Sequence, residues 1–265
     1  LMAFLAGNDI LLMSSDISKG IKSIKKSIKK GKISEQRLAR SVKKILKAKY
    51  KVGLNSYKSI ETTNLIDDLN SISVTNLINK SIESIPTLIK NKSNVIPVKL
   101  DTESILNIQF GNSDGVIFND YLNKFKKIKS IKASNINTND LNSLLANHKL
   151  IIVSFHMKSD TPWENMNKKF SDNEQDILKL IDEHDNKILA SFTNPYALSQ
   201  LNLKSYNSVI VGFQNNYEFQ KTIAQQIFGA KEIKGNLPVS INETYKEGTG
   251  IILKNLNILS YADPE

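Results

Sequence analysis

Gly111-Asn112-Ser113-Asp114-Gly115 is the segment whose residue types point most directly to chemistry. It matches the Gly-x-Ser-x-Gly elbow that lifts a nucleophilic serine between a strand and a helix. A triad of Ser113, Asp160 and His184 would follow the chain order of the α/β hydrolases. Against it, an elbow needs small neighbours and an oxyanion-donor loop, and Val116-Ile117-Phe118 crowds the next turn. The same glycines serve an ordinary strand-to-helix turn, and so short a motif often matches by accident. His148, His156 and His184 stand far apart with no carboxylate at ligand spacing, so no metal site is expected. His156 ends an apolar run, where α/β sites gather, although a strand-end histidine that bonds its own loop is the commoner case. Cysteine is absent, which removes disulfides, thiolate metal ligands and a cysteine nucleophile. No glycine pattern of the P-loop or dinucleotide kind occurs, and no cofactor is expected.

The elements that must position these residues follow from periodicity. Apolar runs at 105–110, 128–131, 150–155, 188–192 and 209–213 read as strands. Helical patterns at 116–125, 139–146, 172–183 and 217–228 separate them, and the third opens on the capping box Ser171-Asp172-Asn173-Glu174. Strands alternating with helices predict an α/β fold with a mainly parallel sheet covered on both faces. An edge strand is expected at 237–241, with Pro238 where pairing can be spared. Ahead of this body lie a short buried strand at 10–13 and two helices. The first helix starts near Ser18, carries Ile17, Ile21, Ile24 and Ile28 on one face, and stops at Gly31. The second starts with Ser34 as N-cap and carries Leu38, Val42, Ile45 and Leu46. A polar linker at 58–74 and a helix over 73–89, bent or ended by Pro86, complete the reading.

The charge is uneven. From Lys19 to Lys51 there are fourteen Lys and Arg against Glu35 alone, a balance of +13. The remaining 22 bases and 25 acids leave −3. Such a stripe attracts phosphates or an anionic surface. Tyr50 is the one aromatic inside it, which disfavours nucleic acid as the partner, since base stacking needs aromatic platforms. A stand-alone interaction module with a basic helical face is therefore one functional reading. The stretch 1–13 is apolar but has no basic leader and is interrupted by Asn8 and Asp9, so it is not read as a signal peptide. No run approaches the roughly 18 to 20 apolar residues that cross a bilayer.

Several motifs, taken in order, resemble family three glycoside hydrolases. Ala6-Gly7-Asn8-Asp9-Ile10-Leu11-Leu12-Met13 resembles the last strand of that family's barrel. Gly31-Lys32-Ile33-Ser34-Glu35-Gln36-Arg37-Leu38, Ser41-Val42 and the stretch from Ile45 to Leu54 resemble the helix that seals it. Leu88-Ile89-Lys90-Asn91-Lys92 with Ile96-Pro97 resembles the entry into the family's second domain. Phe192-Thr193-Asn194-Pro195-Tyr196, Gln225-Gln226-Ile227-Phe228-Gly229 and Gly235-Asn236-Leu237-Pro238 resemble later landmarks of it. The flavour is that of the β-N-acetylhexosaminidase-like branch. The ending Leu259-Ser260-Tyr261-Ala262-Asp263-Pro264-Glu265 resembles a junction into a β-lactamase-like module.

The resemblance implies a fold and a division of labour. Residues 1–57 would be the C-terminal end of a (β/α)8-like barrel, 58–74 a linker, 75–245 an α/β sandwich and 246–265 a tail. The parent protein would be a retaining β-glycosidase acting on terminal β-N-acetylglucosaminides from peptidoglycan or chitin fragments, at a periplasmic or secreted address. Its nucleophilic Asp and its His–Asp acid/base would lie upstream of Leu1, leaving this chain inactive alone, its partner the missing barrel portion of the same protein. Asp9 is not that nucleophile; it would fix the turn before the strand. Met13, Ser14 and Ser15 would lie at the barrel mouth, where substrates sit. Other family members place an acid/base Glu on the second domain, and Glu164, beside Trp163, is the candidate for it.

Overall fold

In the computed structural model, residues 1–12, 15–158 and 170–256 are described. The chain divides into two compact units, Leu1–Asp68 and Leu69–Glu265. No helix among the described residues is long and apolar enough to cross a membrane.

The first unit is helical. It holds α1 (Met2–Leu5), α2 (Ile17–Lys29), α3 (Glu35–Lys51) and α4 (Leu65–Leu69). Asp16 caps α2 by accepting from the Lys19 amide at 2.7 Å, and Ser34 caps α3 through the Arg37 amide at 3.1 Å. Gly31 stands at φ +70, the left-handed conformation that ends α2. The strand expected at 10–13 is not formed over its described part: residues 10–12 are irregular, and Ile10 and Leu12 are 68% and 86% exposed. A lone strand has no ladder partner for its backbone groups, and the described residues of this unit contribute no other strand to pair with it. Within the stretch read as a linker, α4 and the opening of α5 are helical.

The second unit is a six-stranded mixed sheet with helices on both faces. After α5 (Ile72–Glu83) come β1 (Thr87–Asn91), β2 (Ile105–Phe110), α6 (Val116–Phe125), β3 (Lys129–Lys132) and α7 (Thr138–Ala146). Then follow β4 (Leu150–His156), α8 (Asp172–Asp182), β5 (Lys187–Phe192), β6 (Ser208–Val211) and α9 (Tyr217–Ile227). The sheet order is β1-β6-β5-β4-β2-β3, parallel throughout except for β1, which pairs antiparallel with β6. β2, β4 and β5 are buried along their whole length, as parallel strands covered on both faces must be. One core, with Ile152, Ile188 and Phe192, lies under α6 and α9; the other, with Ile108, Val153 and Leu189, lies under α7 and α8.

Two expectations for this unit change. The helix expected over 73–89 stops at Glu83, and residues beyond Pro86 form β1, because proline removes a helix donor and its ring clashes with the preceding turn. The edge expected for 237–241 is taken by β1. Residues 237–241 instead form a loop, closed by Leu237 N–H to Thr249 O at 2.9 Å and Gly248 N–H to Leu237 O at 2.8 Å.

Candidate functional site

From β2 the chain crosses to β3 on one side, and β4 returns on the other side of β2. The crevice outside the carboxyl ends of β2 and β4 is therefore the topological switch point, where open α/β sheets bind ligands. The loop 111–115 fills this place. Gly111 stands at φ +115, and a Cβ there would collide with the carbonyl of His156. Ser113 N–H donates to that carbonyl at 3.0 Å, and Lys158 N–H donates to Asn112 Oδ1 at 3.0 Å. The loop also bonds the segment leading into α9: Asp114 O accepts from Asn215 Nδ2 at 3.0 Å and from Gln220 Nε2 at 3.3 Å.

His156 is the hub behind this loop. It is fully buried, with its ring stacked on Phe192 at 4.6 Å and an interplanar angle of 12°. Its Nδ1 lies 2.9 Å from Asn215 Oδ1, an oxygen that can only accept, so Nδ1 carries the proton. Nε2 has no hydrogen-bond partner among the described residues and abuts Gly115, where a Cβ would strike the ring. Burial holds the imidazole pKa at about 4, below its ordinary 6.5, with the Asn215 bond and the Asp114 carboxylate opposing the shift. A neutral, fully packed ring of this kind positions the loop; it does not titrate near neutral pH.

In front of the loop lies a cleft of about 460 Å³, lined among others by Asn112, Ser113, Asp114, Lys132, Lys158 and Glu174. Ammonium, carboxylate, amide and hydroxyl groups converge there beside Phe110, a set able to hydrogen-bond a polar ligand. Glu174 is engaged in the capping box of α8, accepting from Ser171 N–H at 3.0 Å.

The structure separates the serine-hydrolase constellation. Ser113 follows β2 at the carboxyl end of the sheet, whereas His184 precedes β5 at the amino end. There His184 Nε2 bonds His148 O at 3.0 Å and its Nδ1 lies 3.1 Å from Asn186 O. Asp160 lies outside the described residues, as do Glu164, Trp163, Met13 and Ser14. Ser15 is exposed just before the α2 cap. Asn215 and Gln220, about a hundred residues beyond the loop they hold, gave no signal in the sequence.

Asp9 was expected to fix the turn before a strand; its carboxylate instead engages side chains of α3, which spacing alone did not reveal. Its carboxylate meets Lys44 Nζ at 2.7 Å, Ser41 Oγ at 2.6 Å and Arg37 Nη1 at 3.5 Å. The Lys44 and Ser41 hydrogen bonds lead in holding its pKa below the usual carboxylate range. Arg37 also donates to Phe4 O at 3.2 Å and to Asn8 O at 3.3 Å, with its guanidinium 4.4 Å from the Phe4 ring centroid. An Asp so neutralised ties 1–9 to α3.

Fold and site together define an α/β domain with a polar switch-point cleft, preceded by a helical unit. No protein-family model and no curated protein sequence matches the chain. Solved structures do. The chain is similar to a beta-glucoside phosphorylase, BglX, with TM-score 0.70 and 18% identity over 90% of this chain and 44% of that one. It is similar to a glycoside hydrolase family 3 beta-N-acetylglucosaminidase from Paenibacillus sp. str. FPU-7, with TM-score 0.66 and 16% identity over 91% and 47%. A beta-glucosidase from Listeria innocua matches with TM-score 0.60 and 15% identity over 87% and 35%. At these identities the likeness is one of fold. The chain spans less than half the length of each of these proteins.

Proposed function

We propose that this chain is the C-terminal portion of a longer retaining β-glycosidase and has no turnover by itself. In this reading residues 1–57 supply the C-terminal end of a (β/α)8-like barrel, and 75–245 an α/β sandwich. The nucleophile and the acid/base come from barrel segments upstream, flanking one glycosidic bond as retaining chemistry requires. The substrate class is a terminal β-N-acetylglucosaminide, taken from the sequence resemblance, and Met13, Ser14 and Ser15 are its contacts within this chain.

One observation carries the reading: part of each apolar stripe of the first unit lies in water, while Ile24, Ile28, Leu38 and Ile45 are half-buried. Ile17, Ile21, Val42 and Leu46 are 69%, 50%, 44% and 59% exposed. Covering a large aliphatic side chain is worth about 1.5–3 kcal/mol, so four uncovered on two helices imply a missing surface. Structural neighbours about twice as long supply room for one.

The test is complementation. A chromogenic N-acetylglucosaminide is offered to the 265-residue chain alone, to the upstream portion encoded by the same gene, and to the two mixed or co-expressed. Turnover is expected from the mixture and none from this chain. Turnover by this chain, abolished by Glu164→Gln, would overturn the proposal and place a catalytic carboxylate on the second unit.

A further inference from the structure

We infer that the lysine faces of α2 and α3 form a docking surface for an anionic phospholipid bilayer. The inference rests on these two helices alone. At 100° per residue, Lys19, Lys22, Lys26 and Lys29 share the side of α2 opposite Ile17, Ile21, Ile24 and Ile28. On α3, Arg40 and Lys51 stand away from Val42 and Leu46, whereas Lys43 and Lys47 flank those two residues along one groove. All eight are exposed. A surface that covers the isoleucine face of α2 therefore leaves its lysine row in water.

The charge is also unneutralised. Of the fourteen bases between Lys19 and Lys51, only Arg37 and Lys44 form ion pairs among the described residues, and both use Asp9. Like charges three and four residues apart destabilise a helix, so the rows cost the fold something unless an outside anion offsets it. The second unit, by contrast, mixes both signs: Lys231 pairs with Glu83, Lys234 with Glu232, and Lys179 with Asp176.

The form of the surface selects the partner. Lysine dominates over arginine, twelve to two across this segment, giving point charges rather than the planar forks that read phosphates and bases. Tyr50 is the one ring available for base stacking, which nucleic-acid surfaces use heavily. With five cations on α2 and seven on α3, the helices suit an anionic lipid surface, whose attraction grows with every lysine brought near it.

The experiment is co-sedimentation of the 265-residue chain with vesicles of phosphatidylglycerol and phosphatidylcholine, against vesicles of phosphatidylcholine alone. Binding is expected only to the anionic vesicles, and raising salt from about 0.1 to 0.5 M releases it as screening tightens. Replacing Lys19, Lys22, Lys26 and Lys29 by Gln weakens it on the order of a thousandfold, at about 1 kcal/mol for each lysine. The same four-charge change on the second unit, at Lys99, Lys127, Lys204 and Lys246, serves as the control for net charge. Far-UV circular dichroism confirms that both variants stay folded. Equal loss in the control, equal binding to neutral vesicles, or tighter binding to duplex DNA than to anionic vesicles at the same salt would each overturn the inference.

Discussion

An imidazole lying flat on Phe192, with Gly115 against its second nitrogen, has no room for the water that a second proton would need. That makes His156 a sensor of acid through stability rather than through catalysis. Its folded pKa of about 4 lies below the ordinary 6.5, so between these values the unfolded chain binds a proton that the folded chain refuses. Stability is complete above pH 6.5 and falls as pH drops toward 4, by roughly 3 kcal/mol for a shift of this size. Urea denaturation of the second unit at pH 7.5 and pH 4.5 should show this loss, and His156→Leu should flatten the dependence while lowering stability at both values. A slope unchanged in His156→Leu would assign the acid sensitivity to other groups. The loop it supports was readable as a strand-to-helix turn with glycines at both ends. What the histidine does there was not, because its partner Asn215 and the brace Gln220 arrive from a different part of the chain.

At the scale of elements, a helix stripe matters only through what it touches. Val42 and Leu46 are exposed in this chain, whereas Leu88 on β1 is fully buried in the core under α6 and α9. Val42→Ser with Leu46→Ser should therefore change the unfolding free energy by no more than about 0.5 kcal/mol. Leu88→Ala should cost about 2–5 kcal/mol. Urea titrations of both variants make the comparison. A loss above 1.5 kcal/mol, on the order of a core substitution, for the α3 pair would mean that the stripe is already used within this chain. Periodicity made most elements legible for the same physical reason: parallel strands buried on both faces read as unbroken apolar runs, and the Ser171–Glu174 capping box announced α8. It failed where pairing decides. Thr87–Asn91 continued a helix-like spacing past Pro86 and became β1 because β6 offered it an antiparallel edge. Residues 10–12 had the composition of a strand and lacked a neighbour to make them one.

For the whole molecule, the decisive asymmetry is between a unit with two cores and a unit with almost none. Among the described residues of Leu1–Asp68 the buried ones are Phe4, Ser27, Ile33 and Ser41, two of them polar. In Leu69–Glu265 whole strands are buried on both faces. Opening free energies follow buried apolar contact, so the first unit should open far more often than the second. It also carries fourteen of the chain's 36 Lys and Arg between Lys19 and Lys51, so trypsin finds its sites where opening is cheapest. Brief digestion should cut α2 and α3 first and leave a resistant product beginning near residue 69, identified by its N-terminal sequence and intact mass. Adding the upstream barrel portion should slow those early cuts tenfold or more, on the order expected if about 1.4 kcal/mol of docking energy must be undone before each opening. Protection of Lys19 to Lys51 in the isolated chain, equal to that of the sheet, would mean that the first unit closes a core of its own and has no surface left to offer.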